Sequence, residues 1–149
     1  MKIKIPELAL ITLIGSSSSG KSTFAKRFFK ASEIVSSDTC RAMVCDDENS
    51  LEATSDAFEL AHFIIDKRLK KGFLTVIDAT NTQVHARKPL IQLCKKNHVM
   101  PIAIILDTTK TICQERNQER TDRDLEDYVI DRQFTQLQKS IKRLKNEGF

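Results

Sequence analysis

The residues with the clearest chemistry lie in one stretch, GSSSSGKST, from Gly15 to Thr23. The spacing Gly15-x-x-x-x-Gly20-Lys21-Ser22 is that of a phosphate-binding loop, which needs a strand before it and a helix after it. Glycine permits the backbone torsions that turn successive N–H groups onto phosphate oxygens, and the helix start adds the positive end of its dipole. The stretch therefore predicts a site for the phosphates of a nucleotide.

The polar side chains of this loop have predicted roles in holding a nucleoside triphosphate with Mg²⁺. Lys21 reaches the β- and γ-phosphates as a point charge, the Ser22 hydroxyl ligates Mg²⁺, and Thr23 supports the helix start. Ser18 stands where related loops often have a glycine, so a positive φ there would cost about 1 kcal/mol, and we expect binding to survive it. The predicted nucleotide contacts are Gly15, Ser16, Ser17, Ser18, Ser19, Gly20, Lys21, Ser22 and Thr23.

A shorter stretch, SSDTCR, could supply the chemistry of a phosphate acceptor. Asp38 follows the apolar run EIV, at the end where a parallel strand presents residues to ligands. A carboxylate there can orient an attacking hydroxyl and accept its proton. Arg41 would share its helix face and could hold an anion on the acceptor. The structural alternative, in which Asp38 caps a helix and pairs with Arg41, is less favoured because a phosphate loop precedes it by one strand.

Two arginines in the last third, Arg116 and Arg120, are four residues apart in a helical pattern and would project from one face. Fixed guanidinium groups can stabilise the charge on a transferred phosphoryl group, and Arg123 would extend the patch. These residues predict a helical lid over the nucleotide. The alternative is a solvated face, because Glu115 and Glu119 interleave and could pair with the arginines.

Asp78 ends the apolar run FLTVIDAT and has two possible roles. It could hold Mg²⁺ through water, or it could accept a hydrogen bond that positions a loop serine or Thr80. We favour the indirect role.

A parallel sheet is needed to bring these residues together. The runs LALITLI, EIVSS, FLTVIDAT and PIAIILD predict four strands, the last ending at Asp107, with helical patterns between them. This alternation predicts an α/β fold whose parallel sheet is covered by helices on both faces. Helices are expected from Lys21 to about Lys30, from near Thr54, and over ARKPLIQLCKKNH, where Pro89 suggests a start close to it.

The last third of the chain has helical patterns only. Apolar residues recur there at alternating intervals of four and three positions, which predicts a single helix with one apolar face. They are Ile130, Phe134, Leu137, Ile141 and Leu144. The spacing of Thr121 and Asp124 resembles a capping box at the start of this helix, with Asp in the place of Glu.

Length and composition are those of one soluble domain. The chain has 149 residues, 40% hydrophobic and 30% charged, and a net charge of +4 that permits a polyanionic partner. No apolar run approaches the roughly 20 residues of a membrane span, and no signal peptide is evident. The spacing of the cysteines predicts reduced thiols in the cytoplasm rather than a metal site. They are Cys40, Cys45, Cys94 and Cys113.

The stretches GSSSSGKST, SSDTCR, DATN and RNQERTDR together resemble the 5′-kinase domain of bacterial polynucleotide kinase-phosphatases, RNA-repair enzymes with kinase, phosphatase and ligase modules in one chain. The resemblance extends from IPEL to NEGF. It implies a P-loop type sheet with a C-terminal helical lid, and a single kinase domain over residues 1–149, excised from a longer chain. It also implies ATP as phosphate donor, Mg²⁺, and single-stranded 5′-OH ends of RNA or DNA as partners, with phosphatase and ligase modules in the full-length chain.

The resemblance also implies roles for single residues. Asp38 would be the general base that engages the 5′-OH, and Arg41, helped by Thr80, would contact the phosphate on the 3′ side of the acceptor nucleoside. Arg116 and Arg120 would clamp the donor phosphates beside the catalytic Lys21. The sequence departs from the family at Ser18, and at Thr39 where an aromatic residue is expected.

Two other functions remain open at this point. A kinase of a small metabolite or nucleoside would use the same loop, aspartate and lid. An ATPase domain that transfers no phosphate commonly has a Glu after the strand-end aspartate, whereas Ala79 follows Asp78 here. The sequence does not distinguish RNA from DNA as the acceptor, or ATP from other donors.

Overall fold

The structure is a computed structural model that describes residues 2–123 and 125–149. Within them, four parallel strands form one sheet in the order β2–β3–β1–β4. The strands are β1 Ala9–Ile14, β2 Ile34–Ser36, β3 Thr75–Asp78 and β4 Met100–Ile105. The predicted α/β class and parallel sheet are confirmed. β4 ends at Ile105, two residues before the predicted end at Asp107.

Helices connect and cover the strands. They are α1 Lys21–Phe28, α2 Ser37–Cys45, α3 Thr54–Lys70, α4 Val84–Asn97, α5 Lys110–Glu119, α6 Asp127–Ser140 and α7 Leu144–Glu147. Short 3₁₀ turns span Ala31–Glu33 and Ile141–Arg143. Across the described residues, none of these helices has the length and apolarity that crossing a bilayer requires.

Both faces of the sheet are buried, as the side chains of β1 demonstrate. Leu10 packs in a cluster with Ala61 and Ile65 of α3, whereas Ile11 and Leu13 pack in a second cluster with Ala25 of α1. Successive side chains of a strand point to opposite faces, so α1 and α3 cover opposite sides of the sheet.

The register of the sheet brings the carboxyl ends of three strands to one edge. Thr12 of β1 is level with Ile77 of β3, and Ser36 of β2 is level with Asp78 of β3. The loop after β1, the start of α2 and the turn after β3 therefore begin side by side. Ligands of open parallel sheets bind at this edge.

The predicted start of α4 is wrong. The helix begins at Val84, and Pro89 lies inside it. Proline at that position removes the backbone hydrogen bond to the His85 carbonyl. The buried side chains of Arg87 and Leu90, on either side of Pro89, pack into the interior and hold the helix despite this loss.

The predicted single C-terminal helix is interrupted. α6 ends at Ser140, a 3₁₀ turn follows, and α7 begins at Leu144. Leu137 and Leu144 still pack together against Ile14 of β1, so the predicted apolar seam survives the break. The predicted capping box includes Asp124, which lies outside the described residues.

Candidate active site

The loop between β1 and α1 takes a conformation that needs glycine at both ends. Gly15 N–H donates to the Thr80 carbonyl at 3.0 Å. A Cβ on Gly15 would lie 2.6 Å from Ser19 Oγ, closer than packed atoms allow, and at a tight 3.2 Å from the Leu106 carbonyl oxygen. Gly20 has φ 98°, in the left-handed region that favours glycine.

Ser18 has φ 63°, so the condition under which the sequence predicts strain at this position is met. Its hydroxyl is buried and has no hydrogen-bond partner among the described residues. A non-glycine residue in the left-handed region and an unpaired buried hydroxyl both cost stability.

The Lys21 side chain is buried inside the loop. Its Nζ donates to the carbonyls of Gly15 at 3.0 Å and Ser16 at 2.7 Å, and lies 3.4 Å from Ser19 Oγ. Burial lowers the pKa of Lys21 to about 8, against a smaller raising effect of the Asp78 carboxylate. The loop thus surrounds a desolvated ammonium group, as a binding site for phosphates requires.

Ser22 and Asp78 form the other polar pair of the loop. Ser22 Oγ donates to Asp78 Oδ2 at 2.7 Å, which is the contact expected for the indirect role of Asp78. Hydroxyl and carboxylate oxygens are ligands that suit Mg²⁺, which keeps water and substrate phosphates as its remaining ligands. The described residues contain no cluster of three or more His, Cys, Asp or Glu that could hold a metal ion. The pair therefore fits Mg²⁺ bound together with a nucleotide.

Asp38 and Arg41 lie on α2, which starts directly after β2. The helix is capped by Ser36, whose Oγ accepts from Thr39 N–H at 3.3 Å, so Asp38 is not the cap. Asp38 Oδ1 accepts from Arg41 Nη1 at 2.7 Å, and Asp38 Oδ2 lies 3.6 Å from Arg123 Nη1. The carboxylate is held between two guanidinium groups.

Arg41 keeps an unused hydrogen-bond donor. Its side chain is 12% exposed, and its Nε is buried with no partner among the described residues. Buried guanidinium N–H groups are normally paired, so this donor has capacity for a ligand.

One cleft of about 1070 Å³ collects nearly all the residues predicted to act. Its walls include loop residues 17–23, the Asp38–Arg41 pair, the turn after β3 with Thr80, and the α5–α6 region. Gly15 and Ser16 belong to the loop but are buried and do not line the cleft. The predicted residues brought together on the walls are Lys21, Ser22, Asp38, Arg41, Thr80, Arg116 and Arg120.

The two lid arginines are placed differently. Arg116 lies on α5 with its Nη1 3.4 Å from the Ser18 carbonyl oxygen. Arg120 lies just beyond the end of α5 and makes two bonds to Asp122, at 3.0 and 2.8 Å. This pairing raises the pKa of Arg120 and lowers the pKa of Asp122 to about 2. Asp122, rather than Glu115 or Glu119, is thus the partner of Arg120.

Sequence reasoning missed a buried arginine that supports this edge of the sheet. Arg87 is fully buried, donates to the Asn81 carbonyl at 2.8 Å, and makes two bonds to Glu147 at 2.8 and 2.6 Å. Asn81 in turn donates through Nδ2 to the Leu13 carbonyl at 2.8 Å. The turn after β3 is thereby fastened both to α7 and to the strand that carries the loop.

Sequence reasoning also missed Gln133, a residue of α6. Its Oε1 accepts from the Ser17 N–H of the phosphate loop at 2.7 Å, although the two residues are 116 positions apart. Gln136, one turn further on, accepts from Thr82 Oγ1 at 3.0 Å. No local pattern could have predicted these contacts, because they depend on how α6 packs against the sheet edge.

Comparisons with known proteins identify the family and the fold of the chain. The profile of a family described as AAA domain matches residues 10–144. A search of curated proteins finds no match. Among solved structures, a chain of the Pnkp1/Rnl/Hen1 RNA repair complex is similar with 22% identity and a TM-score of 0.78, over 93% of this chain and 47% of that one.

Two solved metabolite kinases are similar as well. A gluconokinase from Sinorhizobium meliloti 1021 has 18% identity and a TM-score of 0.58, over 89% of this chain and 77% of its own. A shikimate kinase from Acinetobacter baumannii has 14% identity and a TM-score of 0.59, over 95% and 80%. The chain thus has a P-loop kinase fold, and it spans less than half the length of the repair-complex chain, at 47%.

Proposed function

The chain belongs to the AAA domain family whose profile matches residues 10–144, and from that premise we propose that it is an ATP-dependent polynucleotide 5′-hydroxyl kinase. It transfers the γ-phosphate of ATP to the 5′-OH end of single-stranded RNA or DNA. The kinase unit is a single domain over residues 1–149, a module of a longer chain. The similar chain of an RNA repair complex supports this choice of acceptor.

One observation carries the proposal: the Asp38–Arg41 pair lies in the same cleft as the phosphate loop. A carboxylate can take the proton of an attacking hydroxyl, and an arginine with a spare donor can bind an anion beside it. A terminal 5′-OH nucleotide has both groups, since its hydroxyl is followed by a phosphate on the 3′ side. Arg41, with Thr80, binds that phosphate.

The donor lies on the loop. Backbone N–H groups of the loop and the start of α1 bind the phosphates, and the Lys21 ammonium binds the β- and γ-phosphates. Arg116 and Arg120 bind the γ-phosphoryl oxygens from the lid side, where charge spreads in the transition state. Ser22 Oγ, positioned by its hydrogen bond to Asp78, would hold Mg²⁺. When bound, Mg²⁺ neutralises charge on the β- and γ-phosphate oxygens.

Transfer is an in-line displacement. Asp38 orients the 5′-OH and accepts its proton while the oxygen forms a bond to the γ-phosphorus. The bond from that phosphorus to the β–γ bridging oxygen breaks, so the products are a 5′-phosphate end and ADP. Asp38 then releases the proton to solvent.

The biological setting follows from the same proposal. Phosphatase and ligase modules in the full-length chain would act on the same broken ends, and the similar structure is that of an RNA repair complex. The cysteines, all free in the structure, fit a reducing cytoplasm as the place of work.

A transfer assay with γ-labelled ATP tests the proposal. The acceptors are 5′-OH RNA and DNA oligonucleotides, bare nucleosides, gluconate and shikimate. Label on oligonucleotide ends supports the polynucleotide kinase. Label on none of the acceptors, beside rapid ATP hydrolysis, would instead indicate a non-transferring ATPase.

The second candidate is a kinase of a small metabolite. The similarity to gluconokinase and shikimate kinase supports it, because both act on small carboxylates and the spare donor of Arg41 would bind a carboxylate as well as a phosphate. Label on a small acceptor, with none on the oligonucleotides, would favour this candidate.

A further inference from the structure

Each of the four successive serines Ser16 to Ser19 of the phosphate loop contacts α5, α6 or the turn before α5. The contacts are Ser16 Oγ to Cys113 Sγ at 3.3 Å, Ser17 N to Gln133 Oε1 at 2.7 Å, Ser18 O to Arg116 Nη1 at 3.4 Å, and Ser19 O to Thr108 Oγ1 at 2.8 Å. The last third of the chain therefore holds the loop along its length.

The contact of Ser17 with Gln133 is the shortest of these and uses a backbone N–H. Because that N–H can only donate, the Gln133 atom facing it must be the carboxamide oxygen. This fixes the orientation of the amide group, and its Nε2 has no hydrogen-bond partner in the described part of the chain. Gln133 is half-buried and lines the cleft, so its two N–H donors are available to a ligand there.

α6 is held firmly on both sides of this residue. Gln136 bonds to Thr82 after β3, and Asp131 accepts from Gln114 of α5 at 3.0 Å. Gln133 thus lies between the phosphate loop and the turn after β3, and it lines the same cleft as the Asp38–Arg41 pair that would receive the acceptor. A polar group held by rigid elements can bind without a large entropic cost.

We propose that Gln133 binds the terminal phosphoryl group of the nucleotide: its Oε1 holds Ser17 N–H, and its Nε2 donates to a γ-phosphate oxygen. The inference rests on the proposed function, because it requires a triphosphate on the loop. Gln133 then lets α6 distinguish ATP from ADP, which lacks the group that Nε2 contacts.

Two substitutions separate this role from simple support of the loop. Gln133→Glu keeps an oxygen for Ser17 N–H but places a negative charge where Nε2 was. Gln133→Ala removes both contacts. Gln138→Glu, an exposed position of α6 outside the cleft, is the matched charge control. Affinities for ATP and ADP are measured by calorimetry with Mg²⁺, and thermal unfolding establishes that each variant is folded.

We expect Gln133→Ala to weaken ATP binding about tenfold and Gln133→Glu about a hundredfold, because a hydrogen bond to a charged group is lost and a like charge is added. ADP binding changes by less than about threefold in both variants, and Gln138→Glu resembles the unchanged chain.

Other outcomes overturn the proposal in distinguishable ways. If Gln133→Glu binds ATP like the unchanged chain, Gln133 only supports the loop. Equal losses for ATP and ADP lead to the same conclusion. If the unchanged chain binds no ATP, the proposed function itself fails and Gln133 has no nucleotide to bind.

Discussion

Arg41 Nη1 donates to Asp38 Oδ1 at 2.7 Å near the start of α2, and both side chains face the cleft that holds the phosphate loop. Residues three apart on a helix share a face, and this pairing is the half of the structural alternative for SSDTCR that the structure contains. The cap at Ser36 leaves Asp38 free of the backbone. The remaining carboxylate oxygen lies towards Arg123, at 3.6 Å.

Arg41→Ala should change acceptor selectivity. We expect the KM of a 3′-phosphorylated nucleoside to rise about a hundredfold and that of a bare nucleoside less than about threefold, because the bare nucleoside lacks the phosphate that Arg41 binds. kcat should fall alike for both, since Asp38 loses its partner. Steady-state kinetics with the two acceptors measure this, and equal changes in KM would show that Arg41 does not bind the phosphate.

ATP binding should take up a proton at alkaline pH through Lys21. The pKa of this buried group is about 8 in the free chain, and the negative charge of bound phosphates raises it. Above about pH 8, ATP affinity therefore falls as pH rises, by up to tenfold per unit. Calorimetry in two buffers of different ionisation enthalpy detects the uptake, and Lys21→Met should abolish it.

The Lys21 ammonium group also makes the free energy of unfolding depend on pH. This free energy increases with pH, whereas ATP affinity decreases. Between about pH 8 and the ordinary lysine value of 10.5, the unfolded chain binds a proton at Lys21 that the folded chain lacks. The contribution of Lys21 to the free energy of unfolding therefore increases with pH through this window. The free energy of unfolding is measured against pH for the unchanged chain and for Lys21→Met. If the difference between them decreases with pH in this window, the Lys21 ammonium is not desolvated.

Ser18→Gly should stabilise the free chain. Glycine takes φ 63° without strain, and the substitution removes a buried unpaired hydroxyl, for a gain of about 1 kcal/mol. Ser18→Ala is the control, because it removes the hydroxyl but keeps the strained torsion. Chemical denaturation compares them, and a Gly variant no more stable than the Ala variant would refute the assignment of strain.

Glu147→Ala should destabilise the fold strongly. It leaves the fully buried Arg87 guanidinium without its carboxylate, at a cost of about 3–5 kcal/mol. Glu59→Ala, at an exposed position of α3, should cost little. The free energy of unfolding from denaturant titration tests this, and similar values for the two variants would show that the pair contributes no more than a surface contact.

Local patterns were sufficient for the strands, most helices and the phosphate loop. Alternation of apolar runs with helical periodicity predicted the parallel sheet, and the spacing of Gly15, Lys21 and Ser22 located the loop at its edge. The strain at Ser18 followed from the sequence only on the condition of a positive φ, because related loops often have glycine at this position. The strands, these helices and the loop are determined mainly by residues that are close to one another in the sequence.

The features that could not be predicted depend on distant neighbours. α4 begins before Pro89 because Arg87 is buried against Glu147, 60 residues away. Gln133 reaches the loop across 116 positions. Arg120 pairs with Asp122 because the chain leaves the helix at that point, which helical spacing alone does not foresee. The sheet order was likewise left open by the sequence.

The proposed function requires Asp38 to engage the attacking hydroxyl, and the substitution Asp38→Asn removes that capacity alone. Asparagine keeps the size of the side chain and an oxygen for Arg41 but cannot accept the proton. Asp46→Asn, at the exposed end of the same helix, is the matched control. Transfer from γ-labelled ATP to a 5′-OH oligonucleotide and ATP affinity are measured for each variant.

We predict that Asp38→Asn lowers the transfer rate by about a thousandfold while ATP affinity stays within about threefold, because the lost group acts only in proton transfer. Transfer at the rate of the unchanged chain, or loss of ATP binding in the same variant, would contradict the account.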